Sequence, residues 1–262
     1  MEVHHHPHVD SDSHRKKNFK EYFLEFVMIF LAVTLGFFAE SLREHISDNA
    51  KEKEYLVSII EDLKSDSATL NSYINVSIPY HRKWIDSEIN LLQQPSFAGK
   101  DKAIYQAFIL GNLWPYDFFK TDRTLSQLNT VGFQLIRNMK IVSAITDWET
   151  QLDYSNITLN KTMELQADID VSGNILVDKD IVSNLTTIAL ANRPLRGVAS
   201  LSLAEIPDSA KIVKPNPAEL NAYVKKLKVY DYYLISNTQQ EYKFDLKVLE
   251  TTLGKLEKIN DE

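Results

Sequence analysis

Histidine is the residue type best placed to do chemistry in this chain, and it is concentrated at one end. His4, His5, His6, His8 and His14 are five of the seven histidines in 262 residues. Imidazoles this close together can hold Zn²⁺, Cu²⁺ or Ni²⁺. The residues around them are polar and Pro7 interrupts the run, so residues 1–18 read as a disordered, solvated tail that meets metal only adventitiously. His45 and His81 each sit beside an arginine and are read as exposed helix positions.

Other chemistries find little support. The chain has no cysteine, which removes thiol nucleophiles and cysteine metal sites, and no Walker loop, GxGxxG, HExxH or GxSxG. Acidic residues are plentiful at 36, but solvated helix faces account for them. Trp114, Tyr116, Phe118 and Phe119 crowd around Pro115, where they could stack a ligand; the reading preferred is a packed corner between two helices. Asp122, Arg123, Arg137 and Asn138 are read as residues that cap and join helices rather than line a pocket. No catalytic, cofactor-binding or metal-binding residue is therefore assigned. The formal charge of −7, with −5 of it beyond residue 42, argues against nucleic acid, which needs a basic surface.

The element that organises the rest is an apolar stretch at 19–42. Residues 26–39, FVMIFLAVTLGFFA, are fourteen positions without a charge, among them Phe26, Phe30, Ala32, Gly36 and Ala39. As helix they cover roughly 21 Å, and 19–42 would reach about 36 Å, enough for the ~30 Å hydrocarbon layer. Lys20, Glu21, Glu25 and Glu40 then fall near the headgroups, and Tyr22 suits an interfacial belt. A buried helix of a soluble protein is the first alternative. A cleaved signal peptide is the second, with Arg15, Lys16, Lys17 and Lys20 before the run and Ala39-Glu40-Ser41 as a small-x-small site. Against cleavage, the sequence after Ser41 continues into helix without a breaker. Ala32 and Gly36 form a small-xxx-small pair that would let two helices approach. The four basic residues before the span exceed Arg43, Lys51 and Lys53 after it, which favours a cytoplasmic N-terminus and a periplasmic C-terminal part at the inner membrane.

Residues 43–262 read as all-α, an elongated antiparallel bundle with long first and last helices. Leu56, Ile59, Ile60, Leu63, Leu70 and Ile74 recur at helical spacing, although Ser67 departs from a coiled-coil heptad, and Pro79 is expected to end the segment. Helices follow at 81–94 and 101–110, with Gly111 as a C-cap. Thr124-Leu-Ser-Gln127 fits a capping box, Gly132 breaks the helix and residues 133–137 resume it briefly. A long helix from Met139 stops at Gly173. Residues 178–191 read as helix; Pro194, Gly197, Pro207 and Pro215 then suggest an irregular connection, in which 198–203 could form a short strand pair. Asn216, Pro217 and Glu219 open a last helix toward Ile259, whose spacing shifts between Thr238 and Tyr242 as a four-residue stutter.

Two stretches carry a resemblance. One is FKEYFLEF from Phe19 through GFFAESLREH from Gly36, then Lys53-Glu-Tyr-Leu and Glu61-Asp-Leu-Lys64. The other is TLSQLNTVGFQLIRN, containing Thr124, Gln127, Gly132, Arg137 and Asn138, followed by Ile145 and Trp148. Together they resemble uncharacterised, single-pass, N-terminally anchored proteins of Bacteroidota; Val131 stands where many relatives have serine. The resemblance covers about a third of the chain and implies a retained anchor and a mainly helical extramembrane domain. It supplies no catalytic residues.

Two classes of function follow. The preferred one is a non-enzymatic anchored protein, in contact with the lipid bilayer, that binds a protein partner or a second copy of itself, or scaffolds an envelope assembly. The alternative is a ligand-binding or sensory module acting through a partner. An enzyme ranks third.

Overall fold

The computed structural model describes residues 18–113, 118–132, 135–194 and 197–261. The histidine-rich tail and Trp114, Pro115 and Tyr116 of the aromatic corner lie outside them, as does the start of the helical return expected at 133–137. Among the described residues every regular element is helical and there is no strand. The chain divides into two units, Met1–Lys51 and Glu52–Glu262.

Helix α1, Phe19–Ser72, supplies all the regular structure among the described residues of the first unit. Its most apolar 18-residue window has a mean hydropathy of 2.1, and none of it is buried. The helix is long and apolar enough to cross a membrane. Phe26, Phe30 and Phe37 are exposed, and a side chain added at Gly36 would meet nothing.

The second unit is built on one apolar cluster. The C-terminal part of α1 buries Leu56, Ile59, Leu63 and Leu70, and a π turn at Tyr73–Ser77 leads directly into α2, Ile78–Leu92. Pro79 therefore does not end the helix. Its missing N–H and bulky ring disturb the preceding turn, and that turn widens so that the Ile78 N–H bonds Tyr73 O, five residues back.

Helix α3, Asp101–Asn112, packs on α2. Gly111 is inside it rather than capping it; a Cβ there would lie 3.4 Å from the Ile85 nitrogen, at ordinary contact distance. Helices α4, Arg123–Val131, and α5, Met139–Gly173, follow, then α6, Lys179–Ala191, capped by the Asp178 carboxylate.

The strand pair expected at 198–203 is absent. That segment is fastened by side chains instead: Gln106 Nε2 donates to Leu201 O at 2.6 Å and Tyr80 Oη to Ala199 O at 2.9 Å. Ser202 and Glu205 close a capping box on a short 3₁₀ turn, Leu203–Glu205. With its carbonyls satisfied this way, the segment needs no ladder partner.

Helix α7, Pro217–Tyr233, starts where Asn216, Pro217 and Glu219 place it: the Asn216 side chain accepts from the Ala218 and Glu219 N–H groups. A second π turn, Leu234–Gln239, joins it to α8, Gln240–Asp261.

Candidate functional site

The segment 121–124, leading into and opening α4, meets α1 through two acids. Asp66 Oδ1 accepts from the Thr121 N–H at 2.9 Å and from its hydroxyl at 2.7 Å. Asp62 Oδ2 accepts from the Thr124 N–H at 3.2 Å and its hydroxyl at 2.6 Å, and Asp62 Oδ1 takes Arg123 Nη2 at 2.5 Å. A helix start leaves N–H groups without intrahelical partners. The residue preceding α4, Asp122, makes no side-chain cap bond, so a carboxylate from another helix fills the role. The expected capping box does not form: Thr124 is committed to Asp62 and Gln127 is exposed.

Burial pushes the Asp62 carboxyl up, but the bonds from Arg123 and Thr124 outweigh it and hold the group below the ordinary carboxylate range. At Asp66 burial wins over the Thr121 bonds, and the nearby Asp62 charge adds to the rise. Gly132, at φ 98°, ends α4 in a conformation that a side chain would strain. Asn138 opens α5, its side chain accepting from the Lys140 N–H at 3.0 Å, while its own N–H donates to Glu52 Oε1 at 2.9 Å. Arg137 is exposed.

A second set of polar groups lies buried between α2 and α7. His81 is fully enclosed, not exposed, because α7 covers the face that carries it; its Nε2 is 2.9 Å from Tyr230 Oη. Burial pulls the imidazole down to about 4, against the opposing effect of a hydrogen bond to the Leu110 backbone. Two seam positions further along, Glu88 is also fully enclosed and accepts from Tyr223 Oη at 2.7 Å. Its other oxygen, Oε2, has no hydrogen-bond partner among the described residues. Burial raises this carboxyl to about 8, so it carries a proton at neutral pH.

Three polar rungs hold α5 against the α7–α8 segment. Thr238 Oγ1 donates to Thr162 Oγ1 at 3.0 Å, Ser155 Oγ and Gln151 Nε2 donate to Asp245 Oδ1 at 2.5 and 2.8 Å, and Thr252 Oγ1 donates to Ala144 O at 3.4 Å. As numbering falls along α5 it rises along its partner, so the two run in opposite directions. Burial lifts Asp245 to about 6 despite the Ser155 and Gln151 bonds.

Several clefts open on the surface of the second unit, one of them, about 440 Å³, among Phe118, Phe119, Asp122 and Glu149. A larger one of about 660 Å³ runs beside the π turns, lined by Ile78, Arg82, Asp86, Asn90, Ile235 and Gln239. Another, about 390 Å³, lies among Pro95, Phe97, Ile212, Pro215 and Leu220. A further one, about 520 Å³, is lined by Met139, Lys140, Ala144, Lys255, Lys258 and Ile259. Neither Glu88 nor His81 lines any of them. Of the aromatic corner, Phe118 packs edge-on against Trp148 at 6.3 Å and Phe119 is exposed.

The acids that matter structurally were visible in the sequence only as seam positions. Asp66, Glu88 and Asp245 each fall where a 3-4 apolar repeat asks for leucine, which is the one signal that could have singled them out. Among the described residues no three His, Cys, Asp or Glu side chains are placed to hold a metal ion. Compared with family models, curated proteins and solved structures, the chain matches none.

Proposed function

We propose that this chain is a single-pass membrane protein that binds a protein partner or scaffolds an envelope assembly without catalysing a reaction. Its N-terminus lies in the cytoplasm, 19–42 spans the inner membrane, and the antiparallel helical bundle that follows stands in the periplasm. One observation carries this reading: the apolar window of α1 has a mean hydropathy of 2.1 with none of it buried. Burial of apolar surface is worth about 25 cal/mol per Å², so a row of water-exposed Phe, Leu and Ile calls for a nonpolar surrounding that the protein does not supply. Residues 39–41 fall inside the continuous helix α1, which favours a retained anchor over a cleaved leader.

The non-catalytic part of the proposal is supported by where the buried acids are engaged. Asp62, Asp66 and Asp245 accept from donors of their own chain, and Glu88 is closed off from every cleft described. The resemblance to anchored Bacteroidota proteins supports the retained anchor.

The chain lacks cysteine, so single-cysteine variants give a direct test. Full-length protein is expected to stay with membranes washed in alkaline carbonate. A cysteine at Ser183 should react with a membrane-impermeant maleimide once the outer membrane is permeabilised, and one at Ser11 should not. Release into the soluble fraction, or mature chains beginning near residue 42, would overturn the anchor. Proximity labelling from the C-terminus should then return a reproducible protein neighbour.

A further inference from the structure

We propose that the end of the second unit formed by Met139, Lys140, Lys255, Lys258 and Ile259 docks on the headgroups of an anionic phospholipid bilayer. This rests on the membrane-anchor reading and adds to it a second, reversible contact with the same membrane.

The surface has the two components such contact needs, an apolar floor and a basic rim. The groove there is about 520 Å³ and its floor is Met139, Ala144 and Ile259. Met139 is 71% exposed although it opens the longest helix of this unit. Lys140, Lys255 and Lys258 border it. Neighbouring acids are largely engaged: Asp147 with Lys255 at 3.6 Å, Glu257 with Lys64 at 2.7 Å, and Glu52 with the Asn138 N–H. Among the described residues Lys140 and Lys258 make no ion pair; Asp261 and Glu262 are the remaining acids nearby in sequence. The lining of the groove holds three lysines and no acid, which makes it complementary to negative charge in a chain whose net charge is −7.

Position supplies the second argument. The bond from Asn138 to Glu52 fixes the start of α5 beside the residue at which the chain arrives from the apolar segment. From Leu42 to Glu52 is ten residues, at most ~36 Å of chain, so covalent connection alone keeps Glu52 within that reach of a bilayer that takes up 19–42. Three lysines alone bind a membrane weakly, but a tether this short makes the contact intramolecular and raises its effective concentration.

The test uses the full chain with Ser143→Cys, an exposed groove position, carrying an environment-sensitive nitrobenzoxadiazole probe, in phosphatidylcholine vesicles with or without 30% phosphatidylglycerol. The expected result is a blue shift and at least a threefold fall in iodide quenching only with phosphatidylglycerol. The Lys140→Glu/Lys258→Glu variant should abolish both, and a probe at Ser183→Cys should be unaffected. Flotation of the protein with the vesicles is scored separately. A floating protein whose probe is quenched equally in both lipids overturns the docking surface and leaves the anchor standing. Shielding that depends on protein concentration, or persists in detergent, assigns the face to a second copy and also overturns it. Failure to float overturns the anchor, and the docking proposal with it.

Discussion

The Gln239 side-chain amide donates to the Ile74 carbonyl at 3.2 Å, tying the last residue of one π turn to the interior of the other. Both turns solve the same problem. Buried positions run Leu56, Ile59, Leu63, Asp66, Leu70 in 3-4 alternation, then resume as Ile74, Ile78, His81, Ile85, Glu88, Leu92 with one residue inserted. The later helix does likewise: Tyr223, Leu227, Tyr230, Leu234, then Thr238, Tyr242, Asp245, Leu249, Thr252, Leu256. In an unbroken α-helix one extra residue would swing the following seam by about 100°. A π turn absorbs it locally, so the apolar face stays on one side. The spacing shift that reads as a stutter in the sequence is realised as this wider turn, not as an unwound supercoil.

The two turns should differ in their tolerance of shortening. Deleting Ser236 returns the later helix to ordinary geometry with its seam intact, and should cost no more than about 1–2 kcal/mol, chiefly the Gln239 bond. Deleting Val76 brings the ring of Pro79 against a carbonyl four residues earlier and should cost about 3 kcal/mol or more. Urea denaturation of the two variants measures both; equal losses would contradict this account.

Replacing Asp62 with alanine strips the start of α4 of its acceptor and should destabilise the fold by about 2–3 kcal/mol. Because its folded pKa is depressed, the Asp62 contribution is present above the ordinary carboxylate value and is lost as pH falls through the depressed one. Arg123→Ala should do less, since its guanidinium is largely in solvent. Amide exchange of residues 121–126 would show the loss locally.

Glu88 sets a pH dependence of the opposite sign. With its folded pKa raised to about 8, the folded state keeps a proton that the unfolded state releases near 4.5. Stability attributable to this group is full below the unfolded value and drains as pH rises toward 8, by an amount on the order of 3 kcal/mol between pH 5 and 8. Glu88→Gln should flatten that slope in denaturant midpoints measured across the range. A variant with an unchanged slope would show that Glu88 does not titrate this way.

Gly173 closes α5 under a ring. A Cβ there would sit 2.1 Å from Phe108 Cε2 and 3.0 Å from Tyr223 Oη. Gly173→Ala should therefore destabilise by about 1–3 kcal/mol through overpacking, despite the better helix propensity of alanine. Thermal melts should show it, and Phe108→Leu in the same chain should recover part of the loss.

Local signals were legible in the sequence where the partner is local. Asn216, Pro217 and Glu219 placed the start of α7 because an N-cap bonds residues two and three positions on. Gly132 and Gly173 marked helix ends for similarly short-range reasons. What escaped was set at a distance. His81 looked exposed because its neighbour is an arginine, whereas α7, some 150 residues later, covers it. The start of α4 showed a plausible box of its own, yet the acceptor is Asp62 on another helix. Pro79 is a breaker by local rules, and only the seam on either side reveals that the helix must continue. Of the buried polar sets, the sequence showed the amino acids and concealed the pairing.

The rungs between α5 and α8 bear on how the chain is made. Thr252 meets Ala144 across 108 positions of sequence, so α5 is finished long before its cover leaves the ribosome. Until then the face of α5 that packs on α8 is uncovered, and a nascent domain of this kind is prone to aggregation. Translation that stops short of α8 should therefore leave a species that chaperones must hold or proteases remove.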